Sequence, residues 1–476
     1  MDNLSNLEPK EVFKWFYELN QIPRSSGNEK AATDFVLKFA EERGLEAHRD
    51  ELLNVIVKKP GTVGYEKSEP VIIQGHIDMV CVKADDSNHN FDTDPIEMIV
   101  DGDLLKANKT TLGGDDGIAV AMGLALLDSN DIPHPPLEIL ITTNEETGMD
   151  GAMALKADYL TGKRLINLDT EEEKEFLVSC SGGSNIDISF DIEKEAAKDS
   201  AYKIVISGLK GGHSGAEIIL QRANAIKLEA RLLNSIRNSI RLASIEGGIK
   251  HNAIPSNATA KFTSSDFDKI KETLNELIDG LKEEYRVEEP GLKIEISDCE
   301  IEEVYVEDLS NRIIDFLMML PDGVQYMSKD IDGLVQTSLN NAIIGEKDSK
   351  LVLTTSVRSA STTSLRELLN VLTVISQKSG AKTREYAAYP AWQFDAHSPL
   401  REKAIEVFEK QYGEEPKINS IHAGLECGLF KNIMPDTDML SYGPQIRDAH
   451  TPLENMSISS VERVWKFTKA LLGELK

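Results

Sequence analysis

Short apolar runs that stop at histidine or at a carboxylate constrain the fold of this chain more than any other feature. The stretch "VIIQGHIDMV" (residues 71–80) carries His76 and Asp78, while "LEILITTNEE" and "RLINLD" lead to Glu145 and Asp169. The amphipathic segment "NEKAATDFVLKFAEERG" precedes these runs and has helical periodicity, and the small-residue helical segment "DDGIAVAMGLALLDS" separates the first run from the second. This alternation predicts an α/β layered domain with a largely parallel or mixed sheet. In such sheets, ligand sites gather at the carboxyl ends of the strands.

The pattern changes near residue 187, where strand, helix, strand, strand, helix and strand follow in that order. This order predicts an α+β sandwich with helices on one face. The stretches that start at His251 and Asn340 each contain Asn-Ala-Ile, a polar turn, a β-rich run and a leucine-rich helix. They indicate either a duplicated ββα unit or a chance similarity. We expect a first domain of residues 1–186 and 393–476 that is interrupted by a second domain of residues 187–392.

Composition narrows the class of protein. The 476 residues carry a net charge of −28 at pH 7, which disfavours binding to nucleic acid or to anionic membranes. Most of the acids are expected on a solvated surface, but some could hold cations. The four cysteines are far apart, there is no signal-like start, and no apolar run approaches the roughly 20 residues that span a bilayer. We expect a soluble cytoplasmic protein.

Eight polar residues lie at the ends of apolar runs or beside glycines: His76, Asp78, Asp115, Asp116, Glu145, Glu146, Asp169 and His450. A single such histidine is more often a hydrogen-bonded core residue, and adjacent acids usually form a solvated turn. The whole set is different, because buried carboxylates are costly and together they need a counter-charge. A pair of divalent cations would supply it. Histidine and carboxylate ligands without thiolates suit zinc, and also manganese or cobalt.

These motifs resemble, in order and spacing over nearly the whole chain, the co-catalytic di-zinc metallopeptidases that include aminoacylase, carboxypeptidase G and bacterial dipeptidases. Within that family "TTNEETGMDGA", "IHAGLECG" and "YPAW" are most similar to the bacterial dipeptidases that cleave Xaa-His substrates. The resemblance implies a zinc-peptidase-like catalytic domain, which has a mixed sheet with helices on both faces. An α+β sandwich lid domain with the duplicated ββα unit would be inserted into it.

The resemblance also implies roles for the residues of the catalytic domain. His76 and Asp169 would hold one zinc ion, and Glu146 and His450 would hold the other. Asp115 would bridge the two ions. A cis peptide bond would join Asp115 to Asp116. Glu145 would be the general base, or alternatively a third carboxylate ligand. Asp78 would accept the free imidazole N–H of His76.

In the lid, the resemblance implies that His213 stabilises the oxyanion, often from a partner subunit, although an ordinary loop histidine is the alternative. Asn252 would assist it. Arg358 would clamp the free carboxylate of the substrate, or form only a surface salt bridge. His422 and Glu426 would lie on a loop that returns to the site, and Glu426 would pair with the amino group of the substrate.

The expected function is therefore metal-dependent hydrolysis of dipeptides, Xaa-His among them. The expected partners are small dipeptides, and the resemblance implies a second copy of the chain bound through the lid. Two alternatives use the same scaffold, namely a tripeptide aminopeptidase and an N-acyl-amino-acid hydrolase. A third alternative is a metal-binding homologue without catalysis.

Overall fold

The computed structural model describes residues 7–476, which form two compact units. The first unit contains the described residues up to Ser179, together with Phe394–Ser420 and Leu425–Lys476. The second contains Cys180–Gln393 and Ile421–Gly424. The first boundary precedes residue 186, where the sequence pattern placed it, because residues 182–191 form a strand that pairs within the second unit.

The helices and strands follow in chain order. Up to the first boundary they are α1 (Lys10–Leu19), α2 (Lys30–Glu42), β1 (Glu46–Arg49), β2 (Val55–Lys59), β3 (Val71–His76), β4 (Met98–Asp101), β5 (Leu104–Ala107), α3 (Gly114–Asp128), β6 (Leu137–Thr142), α4 (Glu145–Gly148), α5 (Asp150–Ala154), β7 (Arg164–Asn167) and β8 (Glu175–Cys180). In the second unit they are β9 (Gly182–Asp191), β10 (Lys194–Ala196), β11 (Ser200–Ser207), α6 (Ala225–Ile236), β12 (Arg241–Gly247), β13 (Ala258–Ser264), α7 (Phe267–Glu284), β14 (Lys293–Asp298), β15 (Glu303–Tyr305), α8 (Glu307–Met319), β16 (Gly323–Met327), β17 (Val335–Lys347), β18 (Lys350–Ser359), α9 (Thr362–Lys378) and β19 (Lys382–Tyr389). The last part contains α10 (Pro399–Tyr412), β20 (Lys417–Ile421), α11 (Glu426–Ile433), β21 (Asp438–Ser441), β22 (Ile446–Arg447), β23 (Asn455–Ser457) and α12 (Ile458–Glu474).

The first unit is built on a mixed eight-stranded sheet in the order β1-β2-β6-β3-β7-β21-β8-β20. Its central strands β6, β3, β7 and β21 are mutually parallel, whereas β1, β2 and β8 pair antiparallel with their neighbours. The central strands are almost entirely buried, which explains their continuous apolar sequences. Because they are parallel, their carboxyl ends meet at one edge of the sheet. A smaller sheet, β22-β23-β5-β4, belongs to the same unit.

One strand is shorter than its sequence suggests. The apolar run of residues 71–80 predicts that His76 and Asp78 lie on one strand, but β3 ends at His76. Beyond it, the Ile77 amide still donates to the Thr142 carbonyl, but the carbonyls of Ile77 and Asp78 accept from the guanidinium of Arg24. A side chain takes the place of the next strand in the hydrogen-bond ladder, so the strand stops.

The second unit has a nine-stranded sheet in the order β14-β11-β13-β12-β17-β18-β9-β19, with β16 also paired to β17. Helices α6 to α9 pack with these strands around one apolar core. The ββα order occurs twice, as β12-β13-α7 and as β17-β18-α9, which agrees with the expected duplication. The two Asn-Ala-Ile segments are not equivalent, however, because residues 252–254 precede β13 whereas residues 341–343 lie inside β17.

In the part of the chain that the structure describes, no helix combines the length and the apolarity needed to cross a bilayer.

Candidate metal centre

The edge where the parallel strands end carries the polar residues that the sequence singled out. His76 is the last residue of β3, and Asp169 follows the end of β7. Glu145 and Glu146 begin the short helix α4 just after β6. His450 arrives from the segment that follows β21 and has a left-handed backbone conformation with φ of 63°. Parallel pairing thus brings His76, Glu145 and Asp169 to one edge, and the C-terminal segment adds His450.

Asp115 lies between two imidazoles. Its Oδ1 is 3.1 Å from Nε2 of His76, and its Oδ2 is 3.0 Å from Nε2 of His450. One carboxylate thus offers one oxygen to each histidine, as a bridging ligand between two cations requires. The peptide bond between Asp115 and Asp116 is cis, which confirms that implication of the resemblance.

Each imidazole also faces a further carboxylate. Oδ1 of Asp169 lies 3.6 Å from Nε2 of His76, and Oε2 of Glu146 lies 2.9 Å from Nε2 of His450. Three overlapping groups of side chains in this cluster have ligand atoms close enough to hold a metal ion. One of them contains Asp116, which the sequence did not single out as a ligand. The oxygen Oδ2 of Asp116 accepts from the main-chain amide of His76, 3.2 Å away.

The electrostatics of the cluster fit a cation. Hydrogen bonds to Asp115 and Glu146 raise the pKa of His450 to about 11, although burial opposes this. Burial and neighbouring carboxylates raise the pKa of Asp169 to about 6, although His76 opposes this. The raised pKa of Asp169 shows that its ionised form is disfavoured among the other carboxylates. The raised pKa of His450 shows that the carboxylates stabilise positive charge at its imidazole. The donors are imidazole nitrogens and carboxylate oxygens, a set that suits zinc, manganese or cobalt.

Glu145 lies beside the cluster. Its Oε2 is 4.0 Å from Nε2 of His76, farther than the oxygen of Asp115. Burial raises the pKa of Glu145 well above its ordinary value, and the charges of Asp169, Glu426 and Glu146 act in the same direction against the opposing field of His76. A carboxyl group in this environment can accept and hold a proton.

Asp78 makes more contacts than the sequence predicted. Nδ1 of His76 is 3.2 Å from the main-chain oxygen of Asp78 and 3.6 Å from its carboxylate, so the carbonyl is the nearer acceptor. The carboxylate accepts from Ser26 Oγ at 2.8 Å and from the amides of Glu145 and Glu146 at 3.1 and 3.3 Å. Asp78 therefore holds the turn that carries the expected base in addition to facing the imidazole.

Gly75 allows helix α3 to approach β3 closely. A Cβ at this position would lie 2.5 Å from the Cβ of Ala119 and 2.6 Å from Oδ2 of Asp116. A side chain here would force Ala119 of α3 or the Asp116 carboxylate to move. The absence of a side chain at Gly75 therefore leaves the room that this close approach needs.

Sequence reasoning did not select Glu454, a buried residue four positions after His450. Its carboxylate accepts from four consecutive amides, with distances of 2.7 Å to Leu112, 3.2 Å to Gly113, 2.8 Å to Gly114 and 3.4 Å to Asp115. It fixes the loop that leads into Asp115. The only signal in the sequence was its closeness to the "DAHTP" motif.

Glu426 is in the first unit as the first residue of α11, and only 1% of its surface is exposed. Its Oε2 accepts from Nε2 of Gln74 at 2.6 Å and from Oγ1 of Thr142 at 2.9 Å. Burial raises its pKa to about 7. Its visible partners are thus side chains of β3 and β6, and the pairing with a substrate amino group stays a prediction.

The other four residues that the sequence selected lie in the second unit. Nδ1 of His213 accepts from the amides of Gly215 and Ala216 at 3.2 and 3.1 Å, which leaves Nε2 as the nitrogen that can donate. Burial and the charge of Arg358 lower the pKa of His213. The carbonyl of Asn252 accepts from the amide of Ser214, so Asn252 and His213 lie on neighbouring segments.

His422 and Arg358 have partners that the sequence did not indicate. Nε2 of His422 is 2.7 Å from Oγ of Ser338, and Nη1 of Arg358 donates to the hydroxyl of Tyr389 at 2.9 Å. Burial, together with the charges of Arg358 and His213, lowers the pKa of His422 to about 3. His422 is consequently neutral at pH 7.

The chain is similar over nearly its whole length to known peptidases. The chain is 36% identical over 482 aligned positions to the cytosol non-specific dipeptidase of Escherichia coli strain K12, with 100% of this chain and 99% of the relative covered. The crystal structure of aminoacylhistidine dipeptidase from Vibrio alginolyticus superposes with a TM-score of 0.95 at 36% identity, covering 99% of this chain and 98% of that one.

A more distant structure, aminopeptidase PepT from Bacillus cereus ATCC 10987, has a TM-score of 0.57 at 15% identity and shares the fold over 98% of this chain and 99% of its own. The family model described as peptidase family M20/M25/M40 matches residues 72–474. These matches confirm the resemblance seen in the sequence motifs, and the chain belongs to peptidase family M20/M25/M40.

Proposed function

We propose that the protein hydrolyses dipeptides, with Xaa-His dipeptides among its substrates. One similar protein is named a non-specific dipeptidase and another an aminoacylhistidine dipeptidase, and both align over nearly the full chain. The observation that carries the proposal is the position of Asp115, which offers one carboxylate oxygen to His76 and the other to His450. This arrangement supports a centre of two divalent cations that share one carboxylate.

The proposed ligands are His76 and Asp169 for one ion, Glu146 and His450 for the other, and Asp115 for both. Zinc suits this donor set, and manganese or cobalt could replace it. When bound, two such ions lower the pKa of water towards neutrality and polarise the amide carbonyl. Two carboxylates hold the proposed ligands in position. Glu454 accepts from the amide of Asp115, and Asp78 faces His76 and accepts from the amide of Glu146.

Glu145 is the proposed general base. It lies next to Glu146 but 4.0 Å from Nε2 of His76, so it is near the cluster without being the closest oxygen. In this role it takes a proton from the attacking water and delivers it to the leaving amine. Its pKa is raised by burial, which favours holding the proton between the two transfers. The alternative role, a third carboxylate ligand, predicts that its removal lowers the amount of bound metal.

In the second unit, His213 is proposed to stabilise the oxyanion through Nε2, with Asn252 assisting, and Arg358 is proposed to bind the substrate carboxylate. The backbone bonds to Nδ1 of His213 support this, because they leave Nε2–H as a donor. His422 and Glu426 are proposed to contact the substrate. We also propose that the enzyme works in the cytoplasm. A further proposal is that it forms a homodimer through the second unit, and light scattering after size-exclusion chromatography would test for a dimer.

A substrate panel tests the function. Metal-stripped protein is reloaded with zinc, manganese or cobalt and assayed on carnosine, Ala-His, other dipeptides, tripeptides and N-acetyl amino acids. We expect hydrolysis of the dipeptides only after reloading. Preference for tripeptides or for acylated amino acids would favour the two alternative enzymes. Full activity without metal would refute the proposal, and metal binding without any hydrolysis would indicate the non-catalytic homologue.

A further inference from the structure

Arg24 is a buried residue of the first unit, with 1% of its surface exposed. Its Nη1 donates to the carbonyls of Ile77 at 2.7 Å and Asp78 at 3.2 Å. Its Nη2 donates to the carbonyl of Gly113 at 2.7 Å and to Oδ1 of Asn20 at 3.0 Å. One planar guanidinium thus joins two separate segments of the main chain.

These two segments carry ligands of the proposed metal centre. Ile77 and Asp78 directly follow His76, and Gly113 precedes Asp115 by two residues. A guanidinium presents its N–H groups in a rigid fork, so the two carbonyl-bearing segments are held at a fixed separation. A lysine ammonium is a single point of charge and has no such fork.

The glycines around Asp115 make room for this arginine. A Cβ on Gly117 would lie 2.5 Å from Nη2 of Arg24, and a Cβ on Gly113 would meet the same nitrogen. The first and last glycines of the "GGDDG" motif, Gly113 and Gly117, are therefore explained by the approach of Arg24, which the motif alone did not reveal.

The residues that follow Arg24 reach the third ligand-bearing segment. Oγ of Ser26 donates to Oδ2 of Asp78 at 2.8 Å. Oε1 of Glu29 accepts from the main-chain amide of Asn144 at 3.1 Å, immediately before Glu145. Residues 24–29, here called the Arg24–Glu29 loop, connect α1 to α2 and so contact the ends of β3 and β6 as well as the start of α3.

We propose that the Arg24–Glu29 loop positions the ligand-bearing segments of the metal centre relative to one another, and that Arg24 is the residue that sets the separation of His76 from Asp115. The proposal rests on the metal centre proposed above. Arg24 is a positioning residue, because it acts through the main chain and not on the substrate.

A purely structural role for Arg24 is the alternative, and the first unit offers a matched control. Arg401 is also buried, and its guanidinium donates to the carbonyls of Asp395 at 2.7 Å and Ala396 at 3.1 Å. Those carbonyls belong to no segment that carries a proposed ligand. Loss of either arginine should lower the stability of the metal-free protein, whereas only Arg24 should affect metal binding.

The test compares Arg24→Met, Arg24→Lys and Arg401→Met with the wild type. Zinc and cobalt affinities are measured by competition with a chelator, and the stability of the metal-free protein by urea unfolding. We expect both Arg24 variants to bind the metals about 10- to 100-fold more weakly, the range found when groups that orient metal ligands are removed. Arg401→Met should keep the affinity of the wild type. In steady-state kinetics, kcat should fall for the Arg24 variants while KM changes little.

Arg24→Lys keeps the charge and most of the packing of Arg24. Ser26→Ala removes only the hydrogen bond to Asp78. If Arg24→Met does not fold, metal affinity can still be measured on these two variants. Wild-type affinity in a folded Arg24 variant would overturn the proposal, and so would an equal loss in Arg401→Met. A wild type that binds no divalent ions would overturn the proposed metal centre itself. The two failures are therefore distinguishable.

Discussion

Glu229 should make the stability of the protein fall as the pH rises. It lies on α6 with 0% of its surface exposed, and neither carboxylate oxygen has a hydrogen-bond partner among the described residues. Its buried neighbours on the same helix include Ile226, Leu232 and Leu233. Burial raises the pKa of Glu229 well above its ordinary value. An ionised carboxylate is costly in such surroundings, so the folded protein keeps the proton.

The sign follows from this raised pKa. Above the unfolded-state pKa of about 4.3, the unfolded chain releases the proton of Glu229 while the folded protein still holds it. The free energy of unfolding then decreases by about 1.4 kcal/mol for each pH unit, until the pH passes the pKa of the folded state. Glu229→Gln carries no titrating proton and lacks this term. The advantage of the variant over the wild type should therefore grow by about 1.4 kcal/mol per pH unit.

The assay is urea unfolding of both proteins at pH 5, 6, 7 and 8, with hydrogen exchange of peptides from α6 reporting on the second unit. Comparison at equal pH and metal content cancels the contributions of all other titrating groups. Glu276→Gln, at an exposed position on α7, makes the same chemical change and should show no such trend. A difference between Glu229→Gln and the wild type that stays constant across these pH values would refute the reasoning.

Three further predictions concern the candidate site. Glu145→Gln should lower kcat about 10²- to 10⁴-fold, as loss of a general base does, while metal analysis by mass spectrometry still finds the wild-type content; a lower metal content would instead make Glu145 a ligand. Arg358→Lys should raise KM for dipeptides about 10- to 100-fold, because a charge-assisted bond contributes about 1.5–3 kcal/mol, with no comparable effect on a substrate whose carboxylate is amidated. Gly75→Ala should weaken zinc binding in chelator competition, because its Cβ would meet Ala119 and Asp116; an unchanged affinity would show that α3 can shift without cost.

The local sequence was sufficient to predict much of the first unit. Buried parallel strands are continuous apolar runs, so the places where such runs stop are visible without a structure. That is why His76 and Asp169 could be selected as residues at strand ends. The pattern also contained a signal that was not used: Glu229 lies three residues from Ile226 and from Leu232, on the apolar face of its helix. A helical wheel would have placed this acid in the core.

The tertiary structure decided everything that depends on contacts between distant segments. Periodicity reports which face of an element is apolar, but it carries no information on which residue from another part of the chain meets that face. Three features depend on contacts of this kind. His450 approaches Asp115, Glu454 accepts hydrogen bonds from the loop before Asp115, and Arg24 donates to the carbonyl of Gly113. The length of β3 is a further case, since Arg24 occupies the carbonyls that another strand would have paired with. The sequence determined which histidines and carboxylates are candidate ligands and that several of them follow buried strands. The spacing between these residues depends on side chains such as Arg24, whose local sequence looks like an ordinary loop.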